Sequence, residues 1–185
     1  MRRIGNVTAY YSFRDFPSHH YRCYFTVKGI QFSSVEQFMM YAKAKLFGDE
    51  KIALEILQTN SPQAAKVLGR KVKGYVDQVW KEKRRKIVFI GNREKYRQNP
   101  PLLSLLLMTV GTILVEASER DTDWGVGLHE NDDRVADPEQ WLGNNLHGDI
   151  QMEVREYFLQ QRDSKKLADN TVIQGHNERT NEEPT

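Results

Sequence analysis

The chain of 185 residues holds a single cysteine, Cys23, which excludes an internal disulfide and any cluster of zinc-bound thiolates. As a lone thiol it reads as a small strand residue rather than a nucleophile. Long apolar runs are missing too: the longest, Pro101 to Met108, is far short of the ~20 residues that span a bilayer. The charged start Met1-Arg2-Arg3-Ile4-Gly5 lacks the apolar segment of a secretory signal, so a cytoplasmic protein without membrane association is expected. There is no Gly-rich phosphate loop followed by Lys-Ser/Thr, no dinucleotide fingerprint after a strand and no paired-histidine metalloprotease helix. The histidines His19, His20, His129, His147 and His176 are dispersed without ligand spacing, so neither a metal nor another cofactor is expected. Acid–base chemistry by carboxylates and lysine remains.

An apolar content of 39% with 10% aromatics fills one core, and a mean hydropathy of −0.67 implies a well-solvated exterior. The net charge is +2. Residues 163–185 carry three cations and five anions, which leaves 24 cations against 20 anions, or +4, on the body. The excess gathers between Lys66 and Arg97, where Lys71, Lys73, Lys81, Lys83, Arg84, Arg85 and Lys86 lie close together. It suits an anionic partner; a solvated helix face is the plain alternative.

The pattern predicts an α+β fold, one predominantly helical domain over residues 1–162 with a small β-hairpin and a few short strands. Tyr21–Val27, Lys28-Gly29 and Ile30–Phe32 read as the hairpin. Ser33 and Ser34, with Glu36 and Gln37 three positions on, offer overlapping capping boxes for a helix to about Phe47. Asp49 caps the next, and Ser61-Pro62 opens a third that ends near Gly69. A long helix is expected over Tyr75–Arg97, loosened at Gly91-Asn92. A further one runs from Pro100-Pro101 to about Met108, and Thr112–Ala117 reads as a strand. Residues 118–137 form a polar loop, Pro138–Trp141 one turn, and a last helix spans about Gly148 to Gln161. Residues 163–185 read as a disordered polar tail.

Three constellations carry chemistry. Glu36 and Lys43, seven positions apart, share one face of the first helix; a capping glutamate and a solvent lysine are the bland alternative. The run from Glu116 to Gly127 leads a strand into a loop with Asp121, Asp123, Trp124 and Gly125, suited to a rim where an indole stacks on a flat ring. A turn aspartate and a core tryptophan would read the same way. Trp141 to Gly148 places an indole, amides and glycines before a helix, either to hold a phosphate on backbone N–H groups or simply to cap it.

Together these blocks resemble the NADAR/YbiA-like family from about Phe13 to Arg155. The resemblance runs through Phe13-Arg14-Asp15-Phe16, Ser34-Val35-Glu36-Gln37, Met39 to Ala44, Phe47-Gly48-Asp49, Leu68-Gly69-Arg70 and Trp80. It continues in Lys95-Tyr96, Leu105-Leu106-Leu107, Leu114 to Ser118, Asp123 to Gly127, Trp141, Gly143, Asn145, Gly148 and Met152 to Arg155. It implies a YbiA-like fold and an N-glycosidase that hydrolyses the bond between ribose C1 and an exocyclic amine. The substrates so implied are ADP-ribosylated guanine, in nucleic acid or nucleotides, and ribosylamino-pyrimidine phosphates of riboflavin synthesis. A non-catalytic sensor of NAD or ADP-ribose is a third reading, and a nucleic-acid-binding accessory protein a fourth. By matched position Glu36, Lys43 and Asp123 become the expected catalytic residues. Phe13, Asp15, Arg70, Trp124, Gly125, Trp141 and Asn145 become the expected substrate contacts. The bond itself suggests transimination by Lys43, with Glu36 moving protons and Asp123 supporting ring opening or positive charge at C1; direct attack by water is the rival route. The chain departs from the family at Arg14-Asp15, where a Ser-Asn pair is common, and at His147, where leucine is usual.

Overall fold

The computed structural model describes residues 1–179, of which 165–179 by backbone alone. Two short strands at the N-terminus, which no alternating pattern marks, organise one side of it. β1 (Arg2–Ile4) pairs antiparallel with β2 (Val7–Tyr10), and β2 lies parallel to a strand more than a hundred residues away. The second sheet is the expected hairpin: β3 (Phe25–Val27) and β4 (Ile30–Phe32) turn at Lys28 and Gly29, whose φ angles of 49° and 80° are those of a tight hairpin turn. The distant partner of β2 is β5 (Ile113–Glu116), and their register sets Tyr10 opposite Glu116.

Among the described residues six helices pack around these strands. α1 (Val35–Leu46) is the hub, set against α2 (Glu50–Leu57), α3 (Pro62–Gly69) and α4 (Asp77–Gln98). Ser34, Asp49 and Ser61 cap the first three as expected, each side chain accepting a backbone N–H of the first turn. α4 continues through Gly91 without a break, which corrects the expected loosening. Glycine is there for space, since a Cβ would stand 2.6 Å from the Phe38 ring. α5 (Pro100–Leu107) leads to β5, and two single 3-10 turns, Asp133–Ala136 and Pro138–Gln140, interrupt the long polar loop.

α6 (Leu146–Arg179) starts two residues before the expected position and packs on β5 and α4. Its backbone is helical beyond Gln161, in a stretch with no proline to stop it. Side chains from 165 onward and residues 180–185 lie outside the described residues, so of the expected disordered tail only the backbone of 163–179 and the side chains of 163 and 164 are described. Val88, Tyr96, Leu106, Leu114, Ile150 and Val154 are fully buried where α4, α5, α6 and β5 meet. This α+β arrangement holds the end of β5 rigidly against the start of α6.

Candidate active site

A cavity of about 510 Å³ opens between α1, α3, the start of α4, the loop after β5 and the loop before β3. On α1 the capping work falls to Gln37 and not to Glu36. Ser34 Oγ accepts the Gln37 N–H at 3.1 Å, Gln37 Oε1 accepts the Ser33 N–H at 2.7 Å, and Gln37 Nε2 donates to the carbonyls of Ile56 and Thr59. Glu36 is thereby left to face the cavity, only 2% exposed. Its Oε1 is buried without a hydrogen-bond partner, and its Oε2 stands 3.7 Å from His20 Nε2. Burial, opposed by Lys66 and Arg70 and reinforced by Glu116 and Asp121, pushes this carboxyl up to about 7.

Two turns along the same face, Lys43 lines the cavity as well. It is half-buried, with Nζ 4.3 Å from the centroid of the Tyr75 ring and 5.7 Å from that of Trp80. Desolvation lowers its pKa and the Glu36 charge works against that shift. A lysine so placed is nearer to a free amine than one in bulk water. The solvent-facing alternative for this pair is not what the chain adopts.

The opposite wall is the loop after β5. Asp121 Oδ1 accepts the N–H groups of Asp123 and Trp124 at 3.1 and 2.8 Å, which folds the loop and turns the indole of Trp124 onto the cavity. Asp123 lines the cavity too, but both its oxygens are bound by the guanidinium of Arg84 on α4, with Nη2 to Oδ1 at 2.8 Å. The same guanidinium carbon lies 5.3 Å from the Trp124 ring centroid. Arg84 is therefore a site residue that the sequence showed only as one member of a basic stretch.

The cavity unites Glu36, Lys43, Arg70, Asp123 and Trp124. The other expected contacts lie elsewhere. Asn145, with φ 51°, is buried and ties β5 to α6, accepting the Glu116 N–H and donating to the Leu114 carbonyl. Gly125 passes so close to β5 that a Cβ would meet the Glu116 carbonyl at 2.7 Å. Trp141 donates to the Val135 carbonyl and packs on a second apolar cluster around Val115 and Val126. Asp15 accepts the N–H groups of Tyr11 and Ser12 and the amino group of Met1. Phe13 is exposed in a shallow neighbouring recess that shares His20 with the main cavity.

The sequence also concealed the floor. Glu116 ends β5 with Oε2 3.0 Å from His147 Nδ1, and the rings of His147 and His19 are 3.7 Å apart between centroids. Burial, then the charges of His147 and Lys95, holds His19 well below the usual imidazole range. Desolvation and Lys66 lower His20 likewise, although Glu116 pulls the other way. Lys66, on α3, stands among these groups and Arg120 on the loop rim. These residues come from distant segments, and only the adjacency of His19 and His20 was a local signal. Among the described residues no group of three or more His, Cys, Asp or Glu side chains is placed to hold a metal ion.

Fold and cavity together define an α+β domain in which the carboxylates of Glu36, Glu116, Asp121 and Asp123 and the amine of Lys43 line one cavity, bordered by cations and indoles. The chain belongs to the NADAR domain family, whose model matches residues 6–159. It is 37% identical over 140 residues to protein irg-1 of Caenorhabditis elegans, covering 75% of this chain and 66% of that protein. It is 38% identical over 126 residues to N-glycosidase R617 of Acanthamoeba polyphaga mimivirus, covering 68% of this chain and 74% of that one. The NMR structure of the Escherichia coli protein YbiA superposes with a TM-score of 0.70 at 27% identity, covering 85% of this chain and 87% of that chain. The chain thus spans about two thirds of the length of the worm relative.

Proposed function

We propose that the protein is an N-glycosidase that hydrolyses the bond between ribose C1 and an exocyclic amine of a nucleotide-like substrate. The observation that carries this reading is the pairing, in one cavity, of a buried Glu36 poised at about 7 with a half-buried Lys43 whose pKa is lowered. A carboxyl with that pKa can both give and take a proton near neutrality. A desolvated amine can attack a carbon electrophile. The name of the mimivirus relative, an N-glycosidase, supports the same class of reaction.

Within that class the substrate is ADP-ribosylated guanine. Lys66 and Arg70, both from the basic stretch, and Arg120 on the loop border the cavity and suit the phosphates of an ADP-ribosyl group, while Arg84 holds the lining residues Asp123 and Trp124 in place. Trp80 and Trp124 offer flat apolar walls for a base. After ring opening of the N-riboside to an imine, the neutral Lys43 amine adds to C1. Glu36 delivers a proton to the departing base nitrogen, the C1–N bond to the base breaks, and an imine between Lys43 and C1 forms. Water then adds to that carbon, releasing lysine and the sugar aldehyde, which recloses.

The test incubates the protein with ADP-ribosylated guanine nucleic acid and, in parallel, with a ribosylamino-pyrimidine phosphate, following sugar release by mass spectrometry. Borohydride is added during turnover. Release from the first compound and a reduced sugar adduct that vanishes in Lys43→Ala are expected. Tight binding of ADP-ribose without release from either compound would overturn the enzymatic reading in favour of a sensor.

A further inference from the structure

Glu116 has no role in the transimination by Lys43 and Glu36, yet it is held firmly at the floor of the cavity. Its backbone N–H donates to Asn145 Oδ1 at 3.1 Å, and its carbonyl accepts N–H groups from Ser118 at 3.1 Å and Val126 at 3.0 Å. Its Oε2 meets His147 Nδ1 at 3.0 Å; its other oxygen makes no hydrogen bond with the described residues, and the side chain lines the cavity.

The position of His147 follows from the groups around it. Tyr96 donates its hydroxyl to Gln151 Oε1 at 2.7 Å, which fixes the amide so that Nε2 is the donor end. That nitrogen faces Pro17 O and Asn92 Oδ1, both at 2.8 Å, and His147 Nε2 at 2.9 Å. Because a carboxylate oxygen only accepts, the ring nitrogen 3.0 Å from Glu116 Oε2 is the donor, and the Nδ1 proton of His147 points at Glu116. The imidazole is fully buried and cannot turn away. Opposite, Glu36 Oε1 and His19 Nε2 are buried without partners, an arrangement that leaves hydrogen-bonding capacity aimed at a ligand.

We propose that Glu116, oriented by His147, is a second catalytic carboxylate of the cavity, working beside Glu36. This rests on the N-glycosidase reading. It reassigns to Glu116 the role that the sequence suggested for Asp123, whose two oxygens are already held by Arg84. In the hydrolytic step the water oxygen bonds to C1, the C1–N π electrons return to the lysine nitrogen, and the water proton passes to Glu116. The same negative charge stabilises the cationic carbon before attack.

The surroundings divide the labour between the two acids. Burial would raise Glu116, but His147 of α6, by charge and by hydrogen bond, with Lys66 of α3 and His20 of the preceding loop, keeps it below the ordinary range. Tyr10 of β2 and Glu36 of α1 are the other titratable groups electrostatically coupled to it. Glu36 has no comparable donor. Two carboxyls pushed apart in this way mark an acid and a base.

The test is the pH profile of kcat/KM for the compound that the wild type turns over. An acidic limb below the ordinary glutamate range is expected as Glu116 ionises, at lower pH than the inflections set by Glu36, about 7, and by the Lys43 amine. Glu116→Gln should abolish the acidic limb and lower kcat by about 100-fold or more. In His147→Leu that limb should move to higher pH. His147→Asn, which keeps an amide donor near the Nδ1 position, should restore it in part and stands in if the leucine variant fails to fold. An active wild type whose Glu116→Gln variant keeps more than about a tenth of kcat would overturn this proposal alone, as would an acidic limb that stays fixed in both His147 variants. A wild type inactive on every compound would overturn the N-glycosidase reading and the proposal together.

Discussion

A carboxyl held at about 7 binds its proton more tightly in the folded chain than in the unfolded one, where glutamate titrates at 4.5. The stability that goes with that preference is fully present below about 4.5 and is lost as pH rises through about 7. By linkage the loss comes to about 3 kcal/mol for Glu36 alone. Glu36→Gln, which keeps the shape and removes the charge, should therefore raise Tm at pH 8 and leave it nearly unchanged at pH 4, read by calorimetry. Activity should move the other way, kcat falling by about 10² to 10⁴. A variant that gains stability while losing turnover would mark Glu36 as a group kept at a structural cost for its chemistry. At Arg84 the expectation differs. Arg84→Ala removes both bonds to Asp123 and the cation beside Trp124, so KM should rise by about tenfold with a smaller change in kcat, the signature of lost substrate positioning.

At the scale of elements, the junction between β5 and α6 decides where Glu116 stands. Asn145 holds it with two hydrogen bonds from a left-handed backbone position, φ 51°. Asn145→Ala should cost about 2–4 kcal/mol, from the orphaned Glu116 N–H and Leu114 carbonyl together with strain at positive φ. Asn145→Gly should lose the same bonds but about 1 kcal/mol less, because glycine accepts that φ. Equal losses in chemical denaturation would remove strain from this account. Gly91→Ala, whose Cβ would press on the Phe38 ring at 2.6 Å, should destabilise the α1–α4 contact by about 1–3 kcal/mol. The sequence made the local half of this architecture readable. Ser34, Asp49 and Ser61 sit three residues before the N–H groups they cap, and the spacing of Glu36 and Lys43 is a property of one helix. It could not show that Gln37, rather than Glu36, would serve the cap, because both positions suit the pattern. Nor could it show Tyr10 beside Glu116, Arg84 on Asp123 or His147 behind Glu116, which are joined only by the parallel β2–β5 pairing and the docking of α4 and α6. Asp15 and Trp141, expected as substrate contacts, are engaged by backbone groups outside the cavity, and a polar or aromatic residue looks alike in either role.

At the scale of the whole molecule, the charges around the cavity are sorted by depth. Glu36 and Glu116 occupy the interior of the cavity, while exposed Arg70 and Arg120 and the half-buried Lys66 stand nearer its mouth. An anionic substrate meets these cations before Glu36 and Glu116, and the Asp123 carboxylate of the loop is already bound by Arg84. KM should therefore climb with ionic strength while kcat stays flat, since exposed cations are screened by salt and interior groups much less. Arg70→Ala should reduce that salt dependence; an unchanged slope would mean that the rim does not attract substrate. The positions of the three tryptophans give the molecule an optical reporter of its own. Trp80 and Trp124 form walls of the cavity, with the His19 ring 5.6 Å from that of Trp124, whereas Trp141 is engaged in a separate cluster. Ultraviolet emission should shift when a nucleotide enters and persist as a constant background from Trp141 once the other two indoles are replaced, so occupancy can be followed without any dye or label.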